Sequence, residues 1–379
     1  MRVALVHDHL NQIGGAEKVL EVFAGMFPKA PIYTLIFDRN KMRSFLGDRE
    51  IRQSAIGRLP FSRGLFRWYL PLMPAATEGY DLRGFDLVLS DSSGMAKGVL
   101  THPGTVHVCY CHTPTRYLWS DATTEIDPLE RFPIVGRVSQ LLRSFLRMWD
   151  QMAVSRVDYF IANSQFVADR IKKYYHREAV VIYPPVDLSK CVVSERQEKY
   201  FVIVGRMRPY KRFDLAIDAF NRLGIPLKVI GLGEELDRLR VRAKPNIEFL
   251  GALTDQEKFE VISKSQALIH PQEEDFGITA VEAMGCGRPV IAFDAGGAKE
   301  TVIDGTTGIL FDEQSWESLG DVVIRFRSSD FDSNVIRRHA EKFGVERFQK
   351  EINAFIEKCI REPRIKNQES SIAVSSLSP

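Results

Sequence analysis

Short apolar runs alternate along the chain with segments whose apolar residues recur every three or four positions. The runs have the length and composition of buried strands, and the periodic segments have the pattern of amphipathic helices. This alternation predicts parallel sheets with helices on both faces. We expect strands in the first half near 2–7, 32–37, 86–90, 106–111 and 159–163, and in the second half near 200–204, 227–231, 247–250, 267–270, 289–293 and 308–311.

The chain has 379 residues, a length typical of two domains. Consecutive prolines at Pro184 and Pro185 end regular structure and stiffen the chain, so we place the crossover between the domains there. The pattern thus predicts an α/β protein with two doubly wound, Rossmann-like domains. The predicted divisions are a first domain at 1–183, a second at 184–344, a C-terminal helix at 345–364 and a disordered, polar tail at 365–379.

Composition supports this interpretation and narrows the functions open to it. A hydrophobic content of 45% is enough for two buried cores, and a net charge of only +2 gives no reason to expect nucleic acid as a partner. No apolar run is long enough to cross a bilayer, and the N-terminus lacks the features of a signal peptide. We therefore expect a cytoplasmic protein whose five cysteines are reduced.

One segment raises the question of a metal site. His107, Cys109 and Cys111 share one face of a predicted strand, and His112 follows directly. No second ligand pair stands nearby at zinc-like spacing, and free cysteines in a buried strand are common in protein cores. We expect core packing and no metal.

Two carboxylates stand eight positions apart, at Glu274 and Glu282. The first is predicted in the loop after a short strand, and the second in the first turns of the following helix. Free backbone N–H groups around Gly277 to Thr279, at the start of that helix, favour anionic oxygens. Such a layout suits a nucleotide sugar, with one carboxylate on the hexose and the other on the ribose. Two solvated surface acids would give the same pattern.

A second group of charges follows the strand at 200–204. Arg206 and Lys211 lie in the loop between this strand and a helix predicted from about Phe213 to Arg222. Ligands of open α/β sheets bind at the carboxyl ends of the strands, so both side chains are placed to bind a diphosphate. We expect them to be exposed cations whose partner is the ligand. Ordinary surface charge is the alternative.

Together these segments resemble the family 4 glycosyltransferases of the GT-B fold. The resemblance extends over nearly the whole chain, because residues 2–8 and Gly14-Gly15 match the family's first strand and glycine loop. Residues 106–114, 160–164 and 181–187 look like the subgroup of mannosyltransferases that build bacterial O-antigen and related surface polysaccharides. The resemblance implies two domains that face each other across a cleft, with the C-terminal helix returning to the first domain.

The resemblance also implies a reaction and a set of site residues. It implies transfer of a hexose with retention, from GDP-mannose and without a metal or other cofactor, onto an undecaprenyl-diphosphate-linked acceptor. The residues implied in catalysis are His112, Glu274, Arg206 and Lys211. The residues implied in donor binding are Gly14, Gly15, Arg206, Lys211, Phe276, Gly277, Ile278, Thr279 and Glu282. Acceptor-side candidates are Lys97, Arg116 and Tyr117.

Other functions stay open at this point. A transferase of the same family could use a UDP-sugar, and a protein of this fold could bind a nucleotide sugar without turnover. A dinucleotide-dependent oxidoreductase would also be doubly wound. Gly231 and Gly233 begin like its fingerprint, but the third glycine is missing and acidic residues stand where pyrophosphate would bind.

Two acid-free stretches in the first half combine arginines with apolar residues. Residues 52–67 contain aromatic side chains between arginines, and residues 131–147 contain leucines and a phenylalanine. Such surfaces suit an anionic membrane, where each basic residue adds about 1 kcal/mol of attraction. Core helices with solvated arginines are the alternative. A lipid-linked acceptor favours peripheral association with the inner face of the membrane.

Overall fold

Two parallel sheets form the framework of the protein in a computed structural model, which describes residues 1–59, 66–119 and 133–361. In the first sheet the spatial order of the strands is β3-β2-β1-β4-β5-β6-β7. These strands are β1 (Val3–Leu10), β2 (Ile32–Phe37), β3 (Ile51–Gln53), β4 (Leu87–Ser92), β5 (Val106–Cys111), β6 (Tyr159–Ala162) and β7 (Ala179–Val181). The helices around them are α1 (Gly15–Met26), α2 (Arg39–Leu46), α3 (Met73–Glu78), α4 (Pro133–Val154) and α5 (Gln165–Tyr175).

The second sheet has the order β10-β9-β8-β11-β12-β13. Its strands are β8 (Phe201–Val204), β9 (Leu227–Ile230), β10 (Ile247–Gly251), β11 (Leu268–His270), β12 (Val290–Phe293) and β13 (Gly308–Phe311). The helices that follow are α6 (Phe213–Leu223), α7 (Leu236–Arg242), α8 (Asp255–Lys264), α9 (Ile278–Gly285), α10 (Ala298–Thr301), α11 (Trp316–Arg325), α12 (Ser333–Glu341) and α13 (Val345–Arg361).

The predicted strands are confirmed, and the reason lies in their burial. Every residue of β4 and β11, for example, is buried, because helices cover both faces of a parallel sheet. A short apolar run, such as Leu87, Val88 and Leu89 in β4, marks such a strand in the sequence. Two strands, β3 and β7, escaped prediction. Each has only three residues, lies at an edge of the first sheet and is only partly buried, so its sequence is too short to mark it as a strand.

Helix α13 follows the second domain in sequence but packs on the first. Its buried residues Phe348, Ile352 and Ile356 belong to the same apolar core as Phe23 of α1 and Tyr110 of β5. The helix at the C-terminal end of the described residues therefore packs on the domain that contains the N-terminal strand. Residues 365–379, predicted to be a disordered tail, lie outside the described residues, as does the final part of the helix predicted at 345–364.

The carboxyl ends of β1, β5, β8 and β11 lead into the loops where the two domains meet. In doubly wound sheets these ends form the ligand-binding edge. The architecture thus brings the loops that carry the predicted site residues together from both domains.

Candidate active site at the interface of the two domains

The glycine loop of the first domain faces the start of α9 in the second. A Cβ atom added to Gly15 would lie 3.0 Å from Cδ1 of Ile278, so the absence of a side chain lets the two elements approach closely. Gly14 precedes the first residue of α1, where free N–H groups begin. The predicted donor-binding residues Gly14, Gly15 and Ile278 are therefore neighbours, although they lie far apart in sequence.

Glu282 lies on α9 and is buried between two lysines. Its carboxylate accepts hydrogen bonds from Nζ of Lys18, on α1, at 2.9 Å and from Nζ of Lys258, on α8, at 3.0 Å. Burial by itself lowers the pKa of the Lys18 ammonium, but the Glu282 carboxylate outweighs this and the pKa is raised. Lys18 and Glu282 thus form an ion pair that joins the two domains.

Glu274 lies in the loop before α9, as predicted, and forms an ion pair with Lys211. Nε2 of His270 is 3.4 Å from its second carboxylate oxygen. Gly277 ends the loop in the left-handed conformation, with φ of 90°, and a Cβ atom there would be 3.2 Å from the His270 ring. The loop therefore holds a carboxylate beside a cation and at the amino end of α9.

Lys211 departs from the expectation of an exposed cation. Its side chain is only 15% exposed because it lies against Glu274. Burial is the main cause that lowers the pKa of the Lys211 ammonium to about 7. The nearby Arg116 and Arg206 cations also lower this pKa, whereas the Asp275 carboxylate raises it. A ligand that binds Lys211 must compete with a carboxylate already in place.

Arg206 and Arg116 also join the domains. Arg206 donates a hydrogen bond of 2.8 Å to Oε1 of Gln12, in the loop after β1. Arg116 donates to Oδ2 of Asp275 at 2.6 Å, and Arg170 donates to the other oxygen of the same carboxylate at 2.7 Å. Arg116, predicted on the acceptor side, therefore lies against the donor-side loop.

His112 leaves β5 at the same edge of the sheet. Its Nε2 is 2.5 Å from Oδ1 of Asp91, whose Oδ2 is 2.8 Å from Nδ1 of His7. The Glu17 carboxylate lies on the far side of His7, 3.7 Å from its Nε2. Burial by itself favours the neutral imidazole, but hydrogen bonds to Asp91 and Glu17 raise the pKa of His7 to about 10.

Comparison with known protein families identifies the family to which the chain belongs. Residues 13–190 match the model of Glycosyltransferase Family 4, and residues 189–343 match that of Glycosyl transferases group 1. Together the two matches extend over most of the chain and meet at the boundary between the sheets. The chain belongs to the family 4 glycosyltransferases.

Individual relatives of this family 4 glycosyltransferase include mannosyltransferases. It is 23% identical to the alpha-1,3/1,6-mannosyltransferase of Rhizomucor pusillus, over 100% of this chain and 95% of that enzyme. It is 29% identical to the O-antigen chain mannosyltransferase of Salmonella typhimurium, over 52% of this chain and 62% of that enzyme. It is 28% identical to an uncharacterized glycosyltransferase of Methanocaldococcus jannaschii, over 52% of this chain and 58% of that protein.

Solved structures confirm the GT-B fold of the family 4 glycosyltransferase. The Anabaena protein HepE in complex with UDP superposes with a TM-score of 0.70, at 19% identity over 94% of this chain and 100% of that one. Sucrose-phosphate synthase from Thermosynechococcus elongatus superposes with a TM-score of 0.73, at 16% identity over 94% of this chain and 99% of that one. Two Rossmann-like domains facing each other across a cleft are thus the fold of the chain.

Two acceptor-side candidates of this family 4 glycosyltransferase pack within the first domain. Lys97 is 1% exposed, and its ammonium is 2.6 Å from Oδ1 of Asp150 and 3.1 Å from Oγ1 of Thr115. Tyr117 is partly buried and packs on the apolar cluster beneath α4. Both side chains stabilise the first domain, which corrects the expectation for Lys97, whose charge already has a buried partner.

Phe276 needs a similar correction. Its side chain is buried and packs on Tyr183 and Phe343, with ring centroids 5.7 and 5.6 Å away. Only its backbone is available to a donor, because the ring anchors the loop in the core of the second domain. Ile278 and Thr279 are partly buried and supply the first N–H groups of α9, which lack partners within the helix.

The glycines that resemble a dinucleotide fingerprint have a packing role. A Cβ atom at Gly231 would lie 1.9 Å from the carbonyl oxygen of Gly205, and one at Gly233 would lie 2.2 Å from that of Met207. The loop after β9 therefore lies directly on the loop that carries Arg206. This contact explains both glycines without a dinucleotide.

The histidine and cysteines considered as metal ligands lie in the core. Nε2 of His107 is 2.9 Å from Oγ of Ser90, and Cys109 and Cys111 are buried free thiols. Burial raises the pKa of both thiols. Within residues 1–59, 66–119 and 133–361, no group of three potential metal ligands comes together.

Sequence reasoning missed several charged residues at this interface. Glu300 accepts hydrogen bonds from the backbone N–H groups of Gln165 and Phe166, at 2.7 and 2.8 Å, at the amino end of α5. Lys18, Asp91 and Asp275 were also missed. Each pairs with a residue far away in sequence, so no local spacing marked it.

Proposed function

We propose that this family 4 glycosyltransferase moves mannose from GDP-mannose, with retention at the anomeric carbon, onto a lipid-linked oligosaccharide. The observation that carries the proposal is the gathering of Arg206, Lys211 and Glu274 at the amino end of α9, opposite the glycine loop. This arrangement combines two cations and free amides for a diphosphate with a carboxylate for sugar hydroxyls.

The chemical roles are those that the family resemblance implies for these residues. Arg206, Lys211 and the first amides of α9 stabilise the charge that develops on the departing diphosphate, and such preorganised electrostatic stabilisation commonly contributes most to the rate enhancement of enzymes. Glu274 accepts hydrogen bonds from the transferred hexose, and Glu282 accepts them from the ribose. His112 binds a hexose hydroxyl and helps to hold the anomeric carbon in place. The proposal needs no protein nucleophile and no divalent cation.

Two of the relatives support mannose as the transferred sugar. The Rhizomucor and Salmonella enzymes are both mannosyltransferases by name. The Salmonella enzyme acts on the O-antigen chain by name, which supports a role in the synthesis of a surface polysaccharide. A UDP-sugar is the alternative donor, since HepE has been seen with UDP and with UDP-glucose.

A lipid-linked acceptor requires access to a membrane surface, and α4 offers an apolar stripe. Leu141, Phe145, Met148 and Met152 repeat at helical spacing along α4, and each is at least half exposed. Arg137 is exposed on the same helix. An amphipathic surface with basic residues binds anionic lipid without spanning the bilayer. In the described parts of the chain, no helix has both the length and the apolarity to cross a membrane.

The test is turnover with a panel of nucleotide sugars. The protein is incubated with GDP-mannose, UDP-glucose and related donors in the presence of a membrane lipid extract, and release of nucleotide diphosphate is measured. We expect release from GDP-mannose, unchanged by EDTA, and a lipid-linked product with the anomeric configuration of the donor. Release from UDP-sugars alone would mean that the donor is a UDP-sugar. Binding of donors without turnover of any of them would mean that the protein is a nucleotide-sugar-binding protein and not an enzyme.

A further inference from the structure

The ring of His112 is held from inside the domain. Its Nε2 is 2.5 Å from Oδ1 of Asp91, a carboxylate that is 1% exposed. Its backbone is fixed as well, because its N–H donates to the carbonyl of Ser92 and its carbonyl accepts from Nδ2 of Asn163 at 3.0 Å. Nδ1 has no hydrogen-bond partner among the described residues, and it is not a fully buried atom.

Asp91 is shared between two histidines on neighbouring strands. Its second oxygen is 2.8 Å from Nδ1 of His7, which in turn faces Glu17. Burial opposes ionisation of the Asp91 carboxyl, but the charge and hydrogen bond of His112 and the contact with His7 lower its pKa. An ionised carboxylate only accepts hydrogen bonds, so Nε2 of His112 is the donor in this pair.

We propose that Asp91 is a positioning residue for the transfer reaction, fixing His112 through Nε2–H so that Nδ1 is the ring atom left for a substrate hydroxyl. The inference rests on the proposed function in one respect, that a hexose hydroxyl binds beside His112. His7 and Glu17 hold Asp91 from behind, and all three groups are buried. The first strand, the fourth strand and α1 thus each contribute one member of a chain that ends at His112.

The orientation of His112 has a direct consequence for substrate binding. A ring held at Nε2 cannot rotate to offer that nitrogen to the cleft, so substrate recognition passes through Nδ1. Rotation of the ring by release of Asp91 would move the contact atom by roughly an ångström, and a displacement of this size can cost about 100-fold in rate. Binding of the nucleotide, whose proposed contacts with Arg206, Lys211 and Glu282 lie in the second domain, is not expected to change.

Two substitutions separate positioning from stability. Asp91→Ala removes both acceptor oxygens, whereas Asp91→Asn keeps one oxygen that can still accept from Nε2–H of His112. Both variants take the counter-charge from His7, and Asp91→Ala also leaves a cavity, so the thermal unfolding of each variant is measured beside its kcat. We expect Asp91→Ala to lower kcat by about 10- to 100-fold with nucleotide affinity within about twofold, and Asp91→Asn to recover at least about a tenfold part of that loss.

A matched control comes from the opposite end of β5. Asp158 accepts the backbone N–H of His107 at 2.8 Å, and Asp158→Ala removes a carboxylate from the same sheet far from His112. We expect this variant to keep its kcat. Equal rate losses in Asp91→Ala and Asp91→Asn would overturn the proposal, because the oxygen that asparagine keeps would then have no effect on His112.

A spectroscopic measurement on the unchanged protein tests the same assignment without turnover. In protein labelled with ¹⁵N-histidine, the His112 signals are identified by their loss in His112→Gln. We expect a proton bound to Nε2 and its loss or shift in Asp91→Ala. A wild-type ring without a proton on Nε2 would overturn the role of Asp91. If no donor were turned over, the proposed function would fail. The spectrum would still show whether Nε2 of His112 donates a hydrogen bond to Asp91.

Discussion

Arg206 and Lys211 come from one loop but differ in surroundings. Arg206 is partly exposed and donates a hydrogen bond to the neutral Gln12, whereas Lys211 is largely buried against Glu274. The sequence shows two cations five positions apart and does not indicate that their surroundings differ. Their substitution is therefore expected to have different consequences for stability.

Arg206→Ala is expected to reduce transfer without unfolding the protein. The loss of one preorganised donor to the diphosphate costs about 3 kcal/mol, or roughly 100-fold in kcat/KM. The melting temperature should stay near that of the parent, because only a bond to Gln12 is lost. Steady-state kinetics and thermal melting check both points. Arg208→Ala is the control, since Arg208 is a neighbouring arginine 3.9 Å from Glu234. Near-normal turnover in Arg206→Ala would remove the assignment to the diphosphate.

Lys211→Ala is expected to lose both turnover and stability. It leaves the Glu274 carboxylate partly buried without its cation, and an unpaired buried charge is costly. Lys211→Ala should melt at a lower temperature than Arg206→Ala while losing a similar share of kcat/KM. Equal melting temperatures in the two variants would show that the Lys211–Glu274 pair contributes nothing to the fold.

The two glutamates are expected to divide the donor between them. Glu282→Gln should weaken binding of free nucleotide diphosphate, because its carboxylate is assigned to the ribose. Glu274→Gln should leave that binding nearly intact and lower turnover of the sugar donor. Glutamine keeps the shape of each side chain, so Lys18 and Lys258 retain a polar neighbour. Calorimetric titration with GDP and steady-state kinetics separate the effects. Equal loss of nucleotide affinity in both variants would contradict this division.

At the residue scale, local spacing revealed the carboxylates and cations of the donor loops but not their partners. Glu274 and Lys211 each lie beside a predicted strand end, where ligand-binding residues are common. The role of Lys18 was not predictable, because its pairing with Glu282 depends on how the two domains meet. The role of Asp91 was not predictable, because its contact with His112 depends on which strands are neighbours in the first sheet. The burial of Phe276 and Lys97 was missed because it depends on tertiary packing within the second and the first domain, respectively.

At the scale of elements, the loop that carries Glu274 lies on the turn at Gly296 and Gly297. A Cβ atom at Gly297 would be 2.4 Å from Cα of Phe276, and the N–H of Gly297 donates to the carbonyl of Glu274 at 2.8 Å. Strands and helices were predictable from periodicity. This contact between two loops was not, since the glycines alone do not identify the segment that approaches them.

Gly297→Ala is therefore expected to displace the Glu274 loop. The added methyl group needs a shift of several tenths of an ångström, and misplacement of a reacting group by about 1 Å can cost roughly 100-fold in rate. We expect kcat to fall by at least about tenfold. Gly320→Ala is the matched control, because nothing lies within 4 Å of a Cβ atom there and alanine favours the helix. Similar kinetics for both variants would show that the loop tolerates the methyl group.

At the scale of the whole molecule, contacts between the domains use the same residues as the site. Glu282, Asp275 and Glu300 in the second domain all pair with groups of the first. If the donor binds Glu282 as proposed, it displaces the ammonium of Lys18 in the first domain, so we expect binding of the nucleotide and the relative position of the domains to be coupled. A parallel sheet in each half was predictable, because strands alternate with helices along the chain. The pairing of the domains was not.

The membrane surface was predicted from arginines, and the structure changes which residues should be tested. Arg63 and Arg131 lie outside the described residues. Arg147 donates a hydrogen bond of 2.7 Å to the carbonyl of Leu118, so it has a structural role. The exposed stripe of α4 offers a more direct test, because apolar side chains there have no core to pack into.

Phe145→Glu with Met148→Glu is expected to weaken binding to anionic liposomes. These side chains are 51% and 62% exposed, so the fold should tolerate glutamate, while two buried apolar contacts with lipid are lost and two negative charges face an anionic surface. Sedimentation with anionic and neutral liposomes, at rising ionic strength, measures the effect. The parent should sediment with anionic liposomes at low salt and be released at about 0.15 M, where screening shortens electrostatic attraction to roughly 8 Å.

The matched control places the same two charges on the second domain. Val241→Glu with Ile324→Glu changes side chains that are 90% and 64% exposed, and leaves α4 intact. If α4 is the membrane surface, this control should sediment like the parent and keep its activity on a lipid-linked acceptor, whereas the α4 variant should lose both. Binding of GDP should be the same in all three proteins, because none of the four substituted side chains belongs to the proposed donor site. Equal sedimentation of the α4 variant and the parent would mean that its apolar stripe does not contact lipid.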